Sequence, residues 1–169
     1  MTGVSDFVRR GVADPDRLFL YSSSNGASAI NQLLTQTRAF RAAVSHGGVS
    51  DWLGYYRANQ PRGDQTIPNF LGGRKPEDSN DLYIRISPIY QVEKISTPLL
   101  LVVGEKDSIP GGGSRYKDAV AFYEALRKAG KPVDLVVYPG EGHEISDAAV
   151  VEQHVRKAIE FFRSAPSNR

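Results

Sequence analysis

Three short stretches hold residue types that together can transfer an acyl group. They are Ser22-Ser23-Ser24-Asn25-Gly26, Gly104-Glu105-Lys106-Asp107 and Gly140-Glu141-Gly142-His143. A hydroxyl becomes a nucleophile when a base takes its proton during attack, and a histidine on a glycine-flanked loop can swing into place as that base. A carboxylate orients the imidazole and stabilises its charged form. The hydroxyl must stand exposed on a tight turn between small residues, because strand and helix backbones approach closely there. Ser24 occupies such a position. The helix end behind it offers free N–H groups and a favourable dipole to a developing oxyanion.

Each stretch also has a plainer explanation. Serine-rich turns between strand and helix are common helix caps. Glu105 and Asp107 are ordinary acids for a solvated turn or a cap. A lone loop histidine is usually a surface residue. His154 falls mid-helix and His46 ends a strand, where it is buried or lines a pocket; either can be a satisfied structural histidine. The combination is more specific than its parts. Serine, acid and histidine follow one another, each just past a strand, and open α/β sheets build their sites outside the carboxyl ends of the strands.

The elements that must position these residues alternate along the chain. Residues 17–21, Arg-Leu-Phe-Leu-Tyr, read as a short buried strand after the turn Asp14-Pro15-Asp16. Residues 25–37 read as a helix, with Ala27, Ile30, Leu33 and Leu34 at helical spacing. Residues 42–45 form a second apolar run closed by Gly47-Gly48. Residues 51–73 are aromatic and rich in Gly and Pro, which suggests loop and short helix. A helix follows at 76–83. Residues 98–103, Pro-Leu-Leu-Leu-Val-Val, are apolar on both faces, as parallel strands are. Helix 114–129 places Val120, Tyr123 and Leu126 on one face and ends at Gly130. A strand at 133–138 and a helix at 147–164 close the pattern, with Val151, Val155, Ile159 and Phe162 as the expected core stripe. The class is α/β with a parallel sheet.

Composition removes other classes. The chain has 169 residues, enough for one domain with a real core. Its net charge of +2 and lack of a basic run with interleaved aromatics argue against a nucleic-acid partner. Without cysteine it can hold neither a disulfide framework nor a thiolate metal site. No metal or other cofactor is expected. No apolar run approaches the ~20 residues that span a bilayer, and residues 1–10 lack the apolar stretch of a signal peptide. A soluble, cytoplasmic protein is the expectation. Gly111-Gly112-Gly113 lacks the lysine and preceding strand of a phosphate loop and reads as a flexible loop. Arg115 and Lys117 read as residues of a solvated helix face.

Several stretches closely resemble the catalytic domain of the prolyl oligopeptidase family, particularly its acylaminoacyl-peptidase and dipeptidyl-peptidase-like bacterial members. They are residues 11–18 (Gly-Val-Ala-Asp-Pro-Asp-Arg-Leu), 40–44 (Phe-Arg-Ala-Ala-Val), 48–52 (Gly-Val-Ser-Asp-Trp), Ser87-Pro88-Ile89 and 97–101 (Thr-Pro-Leu-Leu-Leu). The most distinctive is 136–143, Val-Val-Tyr-Pro-Gly-Glu-Gly-His. The resemblance covers nearly the whole chain. It implies a partial α/β-hydrolase fold, a mostly parallel sheet of about four strands with flanking helices, as one truncated catalytic domain. It also implies a serine hydrolase: Ser24 attacks an acyl carbonyl, His143 relays the proton, and Asp107, preferred over Glu105 by its match to the family acid, orients His143. The Asn25 backbone N–H would be one oxyanion donor.

Two departures from the family pattern stand out. The elbow usually reads Gly-x-Ser-x-Gly-Gly, whereas Ser22 and Ala27 replace its first and last glycines here. Both are small, so the turn survives with added strain. A family member also carries further strands upstream, one of whose loops supplies the second oxyanion donor. Losing one such donor costs about 2.7–4 kcal/mol of transition-state stabilisation. The elbow strand would become an edge with unpaired backbone groups. A homodimer covering that edge is therefore expected, with residues 4–8 packing nearby. Small esters or peptides are the expected substrates. Trp52, Tyr55, Tyr56 and Phe70 are candidate pocket residues, with ordinary core packing as the alternative. The alternative for the whole chain is an impaired hydrolase fragment acting as a dimerising or binding module.

Overall fold

Two strands that are apolar on both faces need helices on both sides, and that requirement organises the chain. Strands β2 (Ala42–His46) and β3 (Leu99–Gly104) are buried at every residue. The structure, a computed structural model, describes residues 2–58, 63–109 and 113–166. Its main sheet has the order β1-β2-β3-β6, with β1 at Phe19–Ser23 and β6 at Val133–Tyr138. All its pairs are parallel. A small antiparallel pair joins β4 (Ser108–Ile109) to β5 (Gly113–Ser114). This is the α/β class expected from the alternating elements.

Side chains alternate across the pleat, so each strand feeds two cores. On one face, Ala43, Leu99 and Leu101 meet Ile30 and Leu34 of helix α2 (Ser24–Leu33) and its end. Phe122 and Leu126 of helix α6 (Arg115–Lys128) complete that core. On the other face, Val44, Leu100 and Val102 meet Ala158, Phe161 and Phe162 of helix α7 (Ala148–Ser164). Between β2 and β3 stand helices α3 (Trp52–Ala58), α4 (Gly63–Phe70) and α5 (Pro76–Ile86). They share a smaller core of Leu53, Tyr56, Ile67 and Tyr83. Helix α1 (Thr2–Arg9) opens the chain.

Several expectations need correction. The first strand starts two residues later than expected, because Pro15–Arg17 form a 3₁₀ turn whose Asp16 N–H donates to Asp14 Oδ1 at 2.9 Å. The elbow helix ends at Leu33 rather than 37. Residues 51–73 are more helical than their Gly and Pro content suggested; residues 59–62 lie outside the described set. So do Gly111 and Gly112, while Gly113 pairs with Ile109. The largest error concerns α7. Val151, Val155 and Ile159 are 41%, 46% and 44% exposed, and the neighbouring stripe carrying His154 and Ala158 is buried instead. The helical period was right and the inward face was wrong by about one residue's rotation.

The turn from β1 into α2 is tight. A Cβ on Gly26 would sit 2.0 Å from Ser22 Oγ and 3.0 Å from Ser22 Cβ. Ser22 in place of glycine is thus accommodated because Gly26 has no side chain. Gly26→Ala should cost about 1–3 kcal/mol through overpacking. In a Ser22→Gly background most of that cost should vanish, a coupling of about 0.5–3 kcal/mol that a denaturant-unfolding double-mutant cycle reads directly.

Candidate active site

Parallel strands in order bring their carboxyl ends to one edge of the sheet. Ser23 lies level with His46, His46 with Val102, and Gly104 with Tyr138. The segments that follow β1, β3 and β6 therefore converge. There the structure brings Ser24, Asp107 and His143 together. His143 Nδ1 lies 2.9 Å from Asp107 Oδ2, and His143 Nε2 lies 2.9 Å from Ser24 Oγ. A carboxylate can only accept, so Nδ1 carries the proton and Nε2 is left to accept from the serine hydroxyl. That tautomer can take a proton from Ser24 and hold it beside a buried anion.

Ser24 has φ +54°, the one positive value among the described non-glycine residues. A left-handed residue between strand and helix turns its side chain out of the helix face. The capping explanation finds no support here: Ser23 sits at the N-cap without a side-chain hydrogen bond, and Ser24 Oγ faces His143. Asn25, next in α2, has one of the first-turn N–H groups that lack an intrahelical acceptor.

The acid is distinguished by its contacts. Glu105 is engaged elsewhere, its Oε2 accepting from the Gly140 N–H at 3.0 Å. Asp107 has a side chain fully removed from solvent. Its second oxygen, Oδ1, is buried without a hydrogen-bond partner and faces Arg115 Nη1 at 3.7 Å. Arg115 is therefore not on a solvated face, its side chain being 14% exposed, whereas Lys117 is exposed as expected.

Two contributors escaped sequence reading. Gly47, with φ +61°, lies directly against the pair; a Cβ there would come within 3.1 Å of Asp107 Oδ2 and His143 Nδ1. It had looked only like the end of a strand. Glu141 is buried, and its carboxylate accepts from Ser146 N–H and Oγ–H and from Asp147 N–H, which folds the His143 loop back on itself.

The candidate pocket residues separate. Tyr56 is buried against Tyr83 in the small helical core. Trp52 and Tyr55 are half-buried, with ring centroids 5.6 Å apart, and Tyr55 also lines a cavity with Asp51, Ile89, Ile109 and Asp118. Phe70 is instead 85% exposed, so its ring walls no pocket. Asp118 accepts from Ser50 N–H, Ser50 Oγ–H and Asp51 N–H, bolting α6 to the loop after β2; burial pushes its carboxyl upward despite these bonds.

Comparison with known proteins now places this arrangement. The prolyl oligopeptidase family profile matches residues 1–168. The chain belongs to the prolyl oligopeptidase family. It is similar to the lasso peptide isopeptidase AtxE2 of Asticcacaulis excentricus, 28% identical, over 95% of this chain and 22% of that protein. It is also similar to the uncharacterized peptidase YuxL of Bacillus subtilis, 29% identical, over 93% of this chain and 23% of that one. A puromycin-hydrolyzing peptidase of Mycobacterium tuberculosis superposes with a TM-score of 0.85 at 27% identity, covering 96% of this chain and 24% of that structure. The fold is thus that of α/β-hydrolase peptidases. The chain spans less than a quarter of the length of each of these three relatives. No helix among the described residues is long and apolar enough to cross a membrane, and among them no cluster of three metal-binding side chains occurs.

Behind the site lies a second polar cluster. His46 and His154 have ring centroids 5.3 Å apart, and the Tyr21 hydroxyl is 2.8 Å from His154 Nε2. Burial first, then the neighbouring His154 and His143, lower the His46 pKa to about 4, with Asp107 opposing. Burial lowers His154 in the same sense. As pH falls from 6.5 towards 4, the unfolded chain binds a proton that the folded chain refuses, so stability must fall through that window. His46→Leu should flatten this part of the stability profile, measured by denaturant unfolding at pH 7, 6, 5 and 4.

Proposed function

We propose that this chain carries the acyl-transfer centre of a serine hydrolase acting on peptide or ester bonds. The observation that supports it most is the left-handed Ser24, whose hydroxyl sits 2.9 Å from His143 Nε2. In this reading Ser24 Oγ attacks the acyl carbon while His143 takes its proton. The imidazolium formed is stabilised by the buried Asp107 carboxylate on its far side. The Asn25 N–H, at the positive end of α2, donates to the oxyanion. Collapse of the tetrahedral intermediate passes the proton from His143 to the leaving amine or alcohol. An acyl group remains on Ser24, and water, activated by the same histidine, then removes it.

An isopeptidase and a puromycin-hydrolyzing peptidase among the relatives support amide bonds between small or peptidic groups as the substrate class. Tyr55, stacked edge-on with Trp52, lines a cavity with Ile89 and Ile109 that offers apolar surface for a substrate side chain. The family resemblance supports a second oxyanion donor from a segment that precedes the elbow strand in family members.

A second element of the proposal concerns the open side. Among the described residues strand β1 pairs only with β2 in the main sheet, and its Tyr21 is 53% exposed. Helix α7 presents Val151, Val155 and Ile159 to solvent. A second copy of the chain covering this side would shelter both. Sedimentation equilibrium should show a dimer; a stable, fully folded monomer at all concentrations refutes the pairing.

For the chemistry, a fluorophosphonate probe should label the parent chain at Ser24, and Ser24→Ala should abolish labelling. Asp107→Asn should slow reaction by about 10⁴-fold by disturbing the imidazole tautomer. Labelling that persists in Ser24→Ala removes Ser24 from the nucleophile role.

A further inference from the structure

Arg115 stands where helix physics disfavours it. It is the first residue of α6, following the N-cap Ser114, whose Oγ accepts from the Lys117 N–H. The first turn of a helix carries the positive end of the dipole and favours acids, not bases. The side chain is also largely buried, and its Nε has no hydrogen-bond partner. Both features cost free energy. What faces it is the Asp107 oxygen that His143 does not use, at 3.7 Å. That oxygen has no hydrogen-bond donor of its own. The same segment also grips the Asp107 main chain, since Tyr116 N–H and Ser114 Oγ–H both donate to its carbonyl at 3.4 Å. A local rule broken at a buried acid marks a functional constraint more than a stabilising one.

We propose that Arg115 is a positioning residue for the reaction, holding Asp107 with Oδ2 aimed at His143 and partly neutralising it, so that the imidazole stays a weaker base. This rests on the serine-hydrolase reading above. The effect follows from charge balance. A carboxylate facing one cation donates less negative potential to a second one, and the His143 imidazolium is the second cation. Other titratable and charged groups lie on the elements around the imidazole and are unchanged by substitution at Arg115. His46 on β2 stays neutral down to about pH 4. Glu141 and Glu144 lie on the histidine's own loop; Glu141 accepts from Ser146 and Asp147, and Glu144 is exposed. Glu105 is bonded to Gly140, and Ser24 is uncharged. Lys106 lies beside Gly140, with its Nζ 4.0 Å from where a Gly140 Cβ would be.

The test is Arg115→Met against Arg115→Lys, read in two ways. First, the His143 ring is titrated by NMR in the folded chain, with His46→Leu and His154→Gln chains used to assign its signal. The His143 titration should move upward in Arg115→Met, and Arg115→Lys should return it most of the way to the parent curve. Second, the pH profile of fluorophosphonate labelling should move its acidic limb upward by the same amount in Arg115→Met. With an ester substrate, kcat should fall while KM stays within twofold. An unchanged His143 titration in a folded Arg115→Met chain overturns the proposal, as does a titration that moves equally in both variants. Failure of the parent to label at all refutes the hydrolase reading instead, and the NMR titration still decides whether Arg115 tunes His143.

Discussion

The left-handed backbone at Ser24 is the constraint on which the rest of the site depends. A non-glycine residue in that region costs on the order of 1–3 kcal/mol and persists only where its surroundings hold it. Here the surroundings are specific. The parallel pairing of β1 with β2 fixes the chain before the turn, and α2 packs into the core with Ile30 immediately after it. Gly26 lets the two backbones close on each other over Ser22. The result is a hydroxyl thrown outward at the end of the sheet, where the segments following β3 and β6 arrive.

The histidine is held from several sides. Glu141 gathers the turn that carries it, Asp107 meets its Nδ1 from the neighbouring strand end, and Gly47 leaves the space beneath. Glu105 ties that turn to the acid's own segment through the Gly140 N–H. Acid and histidine are thus tied to each other by contacts that do not involve the serine. Arg115 extends this arrangement one layer further, from the imidazole through the carboxylate to the start of α6.

Most of the sheet was legible because strand and helix periods are local properties. The fully buried β2 and β3 announced themselves as apolar runs, and β6 kept its expected bounds. The serine, acid and histidine stretches were visible because each combines a reactive residue with small neighbours just past a strand. What could not be read was set by tertiary contact. The inward face of α7 was misassigned because two adjacent stripes are both plausible, and the sheet selected the one with His154 and Ala158. Arg115 looked like a surface cation because nothing local hints that the chain turns it back onto Asp107. Phe70 looked like a pocket wall because exposure is not encoded in residue type.

The serine and its histidine are separated by 119 positions, and the acid by 36 from the histidine. Bringing together groups so distant along the chain costs loop-closure entropy, which the packing of the whole sheet must repay. A half-synthesised or partly unravelled chain therefore displays Ser24 as a hydroxyl no more nucleophilic than any other serine. The constellation is complete only when β6 docks beside β3 and delivers the loop beyond it. The distribution of the three groups over the chain is in this sense a safeguard: the constellation exists only in the finished fold.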